Sequence, residues 1–112
     1  MQITSRDAAE ARVLTVCDAR IDAAVAIRFK DRMREETAET TGRVILDLSA
    51  VDFIDSSGLG AIVAAMKQLG DQRKLELAGL TPGVERVFRL TRMDSVFPIH
   101  DSAAAAIHDE RR

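Results

Sequence analysis

The spacing of apolar residues changes period several times along the chain, and each change marks a new element. Arg12-Val13-Leu14-Thr15-Val16-Cys17 is a β-branched, apolar run closed by polar Asp18, the pattern of a strand, with Ile3–Ser5 a weaker strand ahead of it. From Asp22 the period becomes helical: Val25, Ala26, Phe29 and Met33 share one stripe, and Arg28, Arg32, Glu35 and Glu36 face water. Asp22 is placed to cap that helix, and Thr40, Thr41 and Gly42 to end it. Val44-Ile45-Leu46-Asp47-Leu48 is almost continuously apolar, as expected of a central strand covered on both faces. A second amphipathic helix runs from about Ser57 to Leu69, burying Leu59, Ile62, Val63, Met66 and Leu69, with Gly70 just past its end.

The second half repeats the alternation. Lys74–Leu80, with Leu75, Leu77 and Leu80, reads as a strand. Thr81-Pro82 starts a helix, Pro sitting at the first helical position where a missing N–H costs nothing, and Val84, Val87, Phe88 and Thr91 form its stripe. Phe97-Pro98-Ile99 suits a brief edge strand, and Asp101 or Ser102 caps a last Ala-rich helix through Ile107. Strands alternating with helices predict an α/β domain built on one mixed sheet.

Composition narrows the class. A chain of 112 residues has the length of one domain, and 46% hydrophobic with 30% charged residues is a globular balance. The net charge is −2, no basic block occurs and the four aromatics are all Phe, so direct nucleic-acid binding is not expected. Cys17 is alone, which excludes an internal disulfide and favours a reducing compartment. The N-terminus has no signal-peptide pattern and the apolar runs are far shorter than the ~20 residues a bilayer requires. The expectation is a soluble, cytoplasmic protein without membrane insertion. Cys17 is expected to be a small buried hydrophobe, Met33 and Met66 core fillers, and His100 and His108 solvated side chains without enough companions for a metal. Asp47, inside an apolar strand, needs a partner or a route to solvent.

Chemistry concentrates in Asp52-Phe53-Ile54-Asp55-Ser56-Ser57-Gly58-Leu59-Gly60, the junction between the central strand and the second helix. Asp55 or Ser56 is suited to cap that helix. A phosphate on a first-turn serine would lie near unpaired N–H groups, while Asp55, and Asp22, Asp47 and Asp52 if they gather at the same end, would repel it. Other motifs fail. Gly58 and Gly60 begin like a dinucleotide fingerprint, but Val63 holds the third glycine position. No phosphate-binding loop ending in Gly-Lys-Ser/Thr exists, and neither serine has glycine two residues before and after it, as a nucleophile elbow requires. A hydrolase using Ser56 or Ser57 would lack a recognisable base.

The run Val44 to Gly60 resembles the signature of the STAS domain, specifically the bacterial anti-sigma factor antagonists. Arg20-Ile21-Asp22-Ala23, Ala78-Gly79-Leu80-Thr81-Pro82 and Leu90-Thr91-Arg92-Met93-Asp94 resemble further family segments, extending the likeness over residues 3 to 108. The resemblance implies a single STAS domain over residues 1–112. Its fold would be α/β, a mixed four- to five-stranded sheet with about four helices packed largely on one side. It implies a non-enzymatic, cofactor-free switch: Ser57 is phosphorylated by a GHKL-type serine kinase that doubles as anti-sigma factor, and a PP2C-type phosphatase reverses the modification. The unmodified form binds the kinase and releases the sigma factor. Partner contacts would come from Asp22, Asp55, Ser56, Ser57, Gly58, Leu59 and Gly60. The alternative is a constitutive STAS scaffold subunit of a signalling or lipid-transporter complex. Asp18-Ala19 stand where family members often carry glycine.

Overall fold

The computed structural model of the chain describes residues 1–109. Its elements follow the alternation of the sequence: β1 (Ile3–Ala8), β2 (Ala11–Val16), β3 (Arg20–Ile21), α1 (Ala26–Thr37), β4 (Arg43–Asp47), β5 (Phe53–Ile54), α2 (Ser56–Leu69), β6 (Leu75–Ala78), α3 (Pro82–Leu90), a 3-10 turn (Met93–Ser95), β7 (Ile99–His100) and α4 (Ala103–Ile107). Five strands form one mixed sheet in the order β1-β2-β4-β6-β7, antiparallel between β1 and β2 and parallel elsewhere. The expected fold class is therefore present. The strand pair β3–β5 forms a separate two-stranded ladder, Arg20 against Phe53 and Ile21 against Ile54, which a two-residue run is too short to announce.

The two-residue period of the strands sorts side chains into two layers. Leu14, Val16, Val44, Leu46, Leu75 and Leu77 face one side, where Phe29 and Met33 of α1, Ile62 and Leu69 of α2, and Val84 and Phe88 of α3 complete the main core. Val13, Ile45 and Ala78 face the other side, where Ala103 and Ala106 of α4 cover them. Three helices thus lie on one face and α4 alone on the other. Among the described residues no helix is long and apolar enough to cross a membrane.

Glu76 shares the second layer and is fully buried. The Arg43 guanidinium grips it through Nε–H to Oε2 at 2.8 Å and Nη2–H to Oε1 at 2.6 Å, and Nη2 also donates to the Ala106 carbonyl at 2.7 Å. His100 Nε2 lies 2.8 Å from the same Oε1. Burial pushes the Glu76 carboxyl up, but the Arg43 and His100 hydrogen bonds and charges outweigh it and hold the group below the usual carboxylate range. Arg43 is in turn raised, first by its bond to Glu76.

Several expectations change. His100 is not a solvated side chain, because β7 turns it toward Glu76. Cys17 is exposed rather than buried: it follows inward-facing Val16, so it points to the opposite side, and the contacts of α4 fall on β4, β6 and β7 instead. Asp22 does not cap α1. Its Oδ1 accepts from Ala24 N–H at 3.1 Å, the chain makes a further turn, and α1 starts after Val25 without a side-chain cap. The same helix stops at Thr37, short of the Thr40-Thr41-Gly42 stretch, where Arg73 Nη1 donates to the carbonyls of Thr37 and Thr40. In α2 the buried positions include Ala61 and Ala65, while Leu59, Val63 and Met66 are half-buried against the core. Thr91 is exposed and ends α3 instead of extending its stripe. β6 ends at Ala78, and β7 covers Ile99–His100, starting two residues and ending one residue later than the predicted edge strand. Asp47 finds its partner in Ser49 N–H at 3.0 Å.

Candidate functional site

The parallel strands all finish at one end of the sheet, and the segment after β4 returns there through β5 into α2. The β3–β5 ladder fixes this return, together with Asp52 N–H and Phe53 N–H, both of which donate to the Ala19 carbonyl at 2.7 and 3.2 Å. Thr81 Oγ1 donates to the Val51 carbonyl at 2.7 Å, tying the start of α3 to the same loop. Asp18 and Ala19 are absent from the positions with positive φ, so the backbone here does not require the glycine common in the family.

Asp55 organises the start of α2. It is the N-cap residue, extended at φ −107° and ψ −174°, and Oδ1 accepts from Gly58 N–H at 2.9 Å. Its other oxygen accepts from Ala23 N–H at 3.2 Å, so one carboxylate joins the helix to the loop that precedes α1. Asp22 lies in that loop, where Oδ2 receives Arg20 Nε–H at 3.2 Å. The Arg20 guanidinium sits 4.3 Å from the centroid of the Phe53 ring.

The seven residues singled out in the sequence separate by role once placed. Ser56 and Ser57 are exposed in the first turn of α2, and neither hydroxyl makes a hydrogen bond among the described residues. Asp55 and Asp22 are half-buried and engaged with backbone N–H groups. Gly58 is buried, and a Cβ there would run into the Ile21 carbonyl, so its smallness serves the packing of α2 on β3. Leu59 is half-buried against the core. Gly60 is exposed, with open space where a side chain would begin. The first-turn N–H groups of Gly58 and Leu59 are taken by the Asp55 side chain and carbonyl, which leaves those of Ser56 and Ser57 without a partner among the described residues.

Among the described residues neither serine hydroxyl is hydrogen-bonded to a histidine or carboxylate. His100 is engaged by Glu76 in the second layer, and both Asp55 oxygens accept from backbone amides. The Arg20–Phe53 stack and the Arg43–Glu76–His100 cluster were not visible from local patterns. Strand parity does carry a signal for the latter, since Glu76 between inward-facing Leu75 and Leu77 must point to the second layer.

Residues 3–106 match the STAS domain family, and the chain belongs to that family. BtrV of Bordetella bronchiseptica is 33% identical over 87 residues, 77% of this chain and 75% of that one. The anti-sigma-B factor antagonist of Listeria monocytogenes is 32% identical over 80 residues, 70% of each chain. Among solved structures, an anti-sigma factor antagonist from Mycobacterium paratuberculosis superposes with a TM-score of 0.83 at 25% identity, covering 96% of this chain and 94% of that one.

Proposed function

We propose that this protein is an anti-sigma factor antagonist that works as a phosphorylation-controlled switch, with Ser57 as the phosphoacceptor. The observation that carries the reading is the Ser57 hydroxyl, exposed and unbonded in the first turn of a helix whose start is pinned by Asp55. In its unmodified form it binds an anti-sigma factor that is also a GHKL-type serine kinase, and so frees the sigma factor. A PP2C-type phosphatase restores the hydroxyl. The protein is the substrate of these partners and not itself an enzyme.

Physical chemistry supports the switch. A phosphate adds about −1.5 to −2 charges, and the two spare N–H groups of Ser56 and Ser57 with the positive end of α2 partly stabilise it. Asp22 and Asp55 are held close by in fixed geometry and disfavour it. With local terms opposed, the charge acts mainly on a docked partner. Reversing a complex from 1:99 to 99:1 takes about 5.5 kcal/mol of differential binding, within reach of a phosphate that docking would have to dehydrate.

Incubation with the cognate kinase and ATP, followed by peptide mass spectrometry, should place one phosphate on Ser57 and none in Ser57→Ala. Phosphate on another residue overturns the assignment. Equal kinase affinity for wild type, Ser57→Ala and Ser57→Asp would instead make the chain a constitutive scaffold.

A further inference from the structure

Four large apolar side chains stand exposed among the described residues, and they divide by place. Leu90 ends α3 and Val96 precedes β7, both at the end of the sheet where the parallel strands begin. Ile27, 70% exposed, and Phe53, 41% exposed, stand at the opposite end with Ser57. Lys30 and Arg34 of α1 meet Ala64, Ala65 and Gln68 of α2 in a shallow cleft. Following both stripes back by three- and four-residue steps brings Ile27 on α1 opposite Ser57 and Ala61 on α2. Phe53 lies four residues before the same serine, on the short strand β5 that leads into α2, with the Arg20 guanidinium stacked on its ring. Gly60, the next outward position on α2, adds no side chain in the way.

Charge at this end is unevenly satisfied. Asp18 accepts from Gln2 N–H, Asp22 is paired with Arg20, and Asp55 holds two amides. Asp52 is exposed, and its carboxylate has no partner among the described residues. This end of the molecule therefore offers two apolar projections and an exposed hydroxyl, with one spare carboxylate beside them.

We propose that Ile27 and Phe53 are the apolar anchors of the surface the Ser57 kinase covers, and that the kinase meets them with an apolar recess carrying a cation at its rim for Asp52. The inference rests on Ser57 being the switch and explains the direction of switching. A partner aiming its cations at Ser57 would hold the phosphorylated form more tightly. A recess that closes over both anchors strips water from the group between them, which a hydroxyl tolerates and a phosphate does not.

Kinase affinity measured by calorimetry for Ile27→Ser, Phe53→Ser, Asp52→Lys, Leu90→Ser and Ser57→Asp tests this, with thermal melts confirming that each variant is folded. Ile27→Ser and Phe53→Ser should each weaken binding about tenfold or more, Asp52→Lys should weaken it too, and Leu90→Ser should bind as wild type. If Ser57→Asp loses binding while both anchor variants keep it, the anchors are refuted and the switch stands. If Ser57→Asp binds as wild type, the switch fails whatever the anchors do. A concentration-dependent dimer of the chain alone, abolished by Phe53→Ser in sedimentation, would give the patch to a second copy and overturn the proposal.

Discussion

Two glycines separated by one residue in α2 have opposite reasons for lacking a side chain. At Gly58 a Cβ collides with the Ile21 carbonyl, a backbone atom that moves only if the β3–β5 ladder moves with it. Gly58→Ala should therefore destabilise the fold by about 1–3 kcal/mol, the range for overpacking a closed contact. At Gly60 nothing stands within 4 Å of the added carbon. Gly60→Ala should stabilise by about 0.5–1 kcal/mol, because alanine loses less backbone entropy in a helix. Urea denaturation of the two variants side by side reads both signs. A third residue gives a check on backbone strain: Ala9, in the turn between β1 and β2, has φ 55°, where a Cβ is unfavourable. Ala9→Gly removes that clash but increases the freedom of the unfolded chain, so the net gain should stay below about 1 kcal/mol.

At the level of elements, the start of α2 depends on a carboxylate that serves two segments at once. Asp55→Ala removes the cap bond to Gly58 N–H and the tie to Ala23 N–H. Loss of a cap alone costs about 0.5–2 kcal/mol, and the second bond should bring this case to the upper part of that range. Hydrogen exchange should accelerate in both places, at the first turn of α2 and in the loop before α1, whereas a simple cap would affect only the first. The cap itself was readable from Asp55-Ser56-Ser57, because N-caps are local chemistry. So were the helical stripes of α1 and α3 and the apolar run of β4, each set by side-chain period within one element. Less legible was whatever depends on two distant segments. Arg20 and Phe53 meet only because two-residue strands pair across 33 positions of chain, and Asp22 lost its capping role to Val25 because the loop makes an additional turn held by Asp55. The exposure of Ser57 belongs to both kinds: its place in the first turn follows from the cap, but its freedom from neighbours follows from how α1 packs beside α2.

In the molecule as a whole the first turn of α2 lies at one end of the three-helix layer, and a charged fastening lies beneath α4 in the other layer. α4 is only five residues long and has little helical stability of its own. Its hold depends on Ala103 and Ala106 packing against the sheet and on the Arg43 bond to the Ala106 carbonyl. Arg43 is oriented by Glu76, so the carboxylate indirectly positions the helix. Glu76→Gln leaves a guanidinium in a site only about one-tenth exposed without its counter-charge, which should cost about 3–5 kcal/mol near neutral pH. The pH dependence has a definite sign. The folded Glu76 carboxyl titrates below its unfolded value, near 4.3, so its stabilisation is complete above that value and disappears as pH falls through the folded one. The wild type should therefore lose stability in acid more steeply than Glu76→Gln, and the two curves of unfolding free energy against pH should converge as the carboxyl protonates. Salt should change this difference little, because the pair is shielded from solvent by the sheet and α4. Parallel curves from pH 7 down to 3 would show that Glu76 does not carry the fastening. Amides of Ala105 and Ala106 exchanging no faster in the variant would show that α4 is held by packing alone.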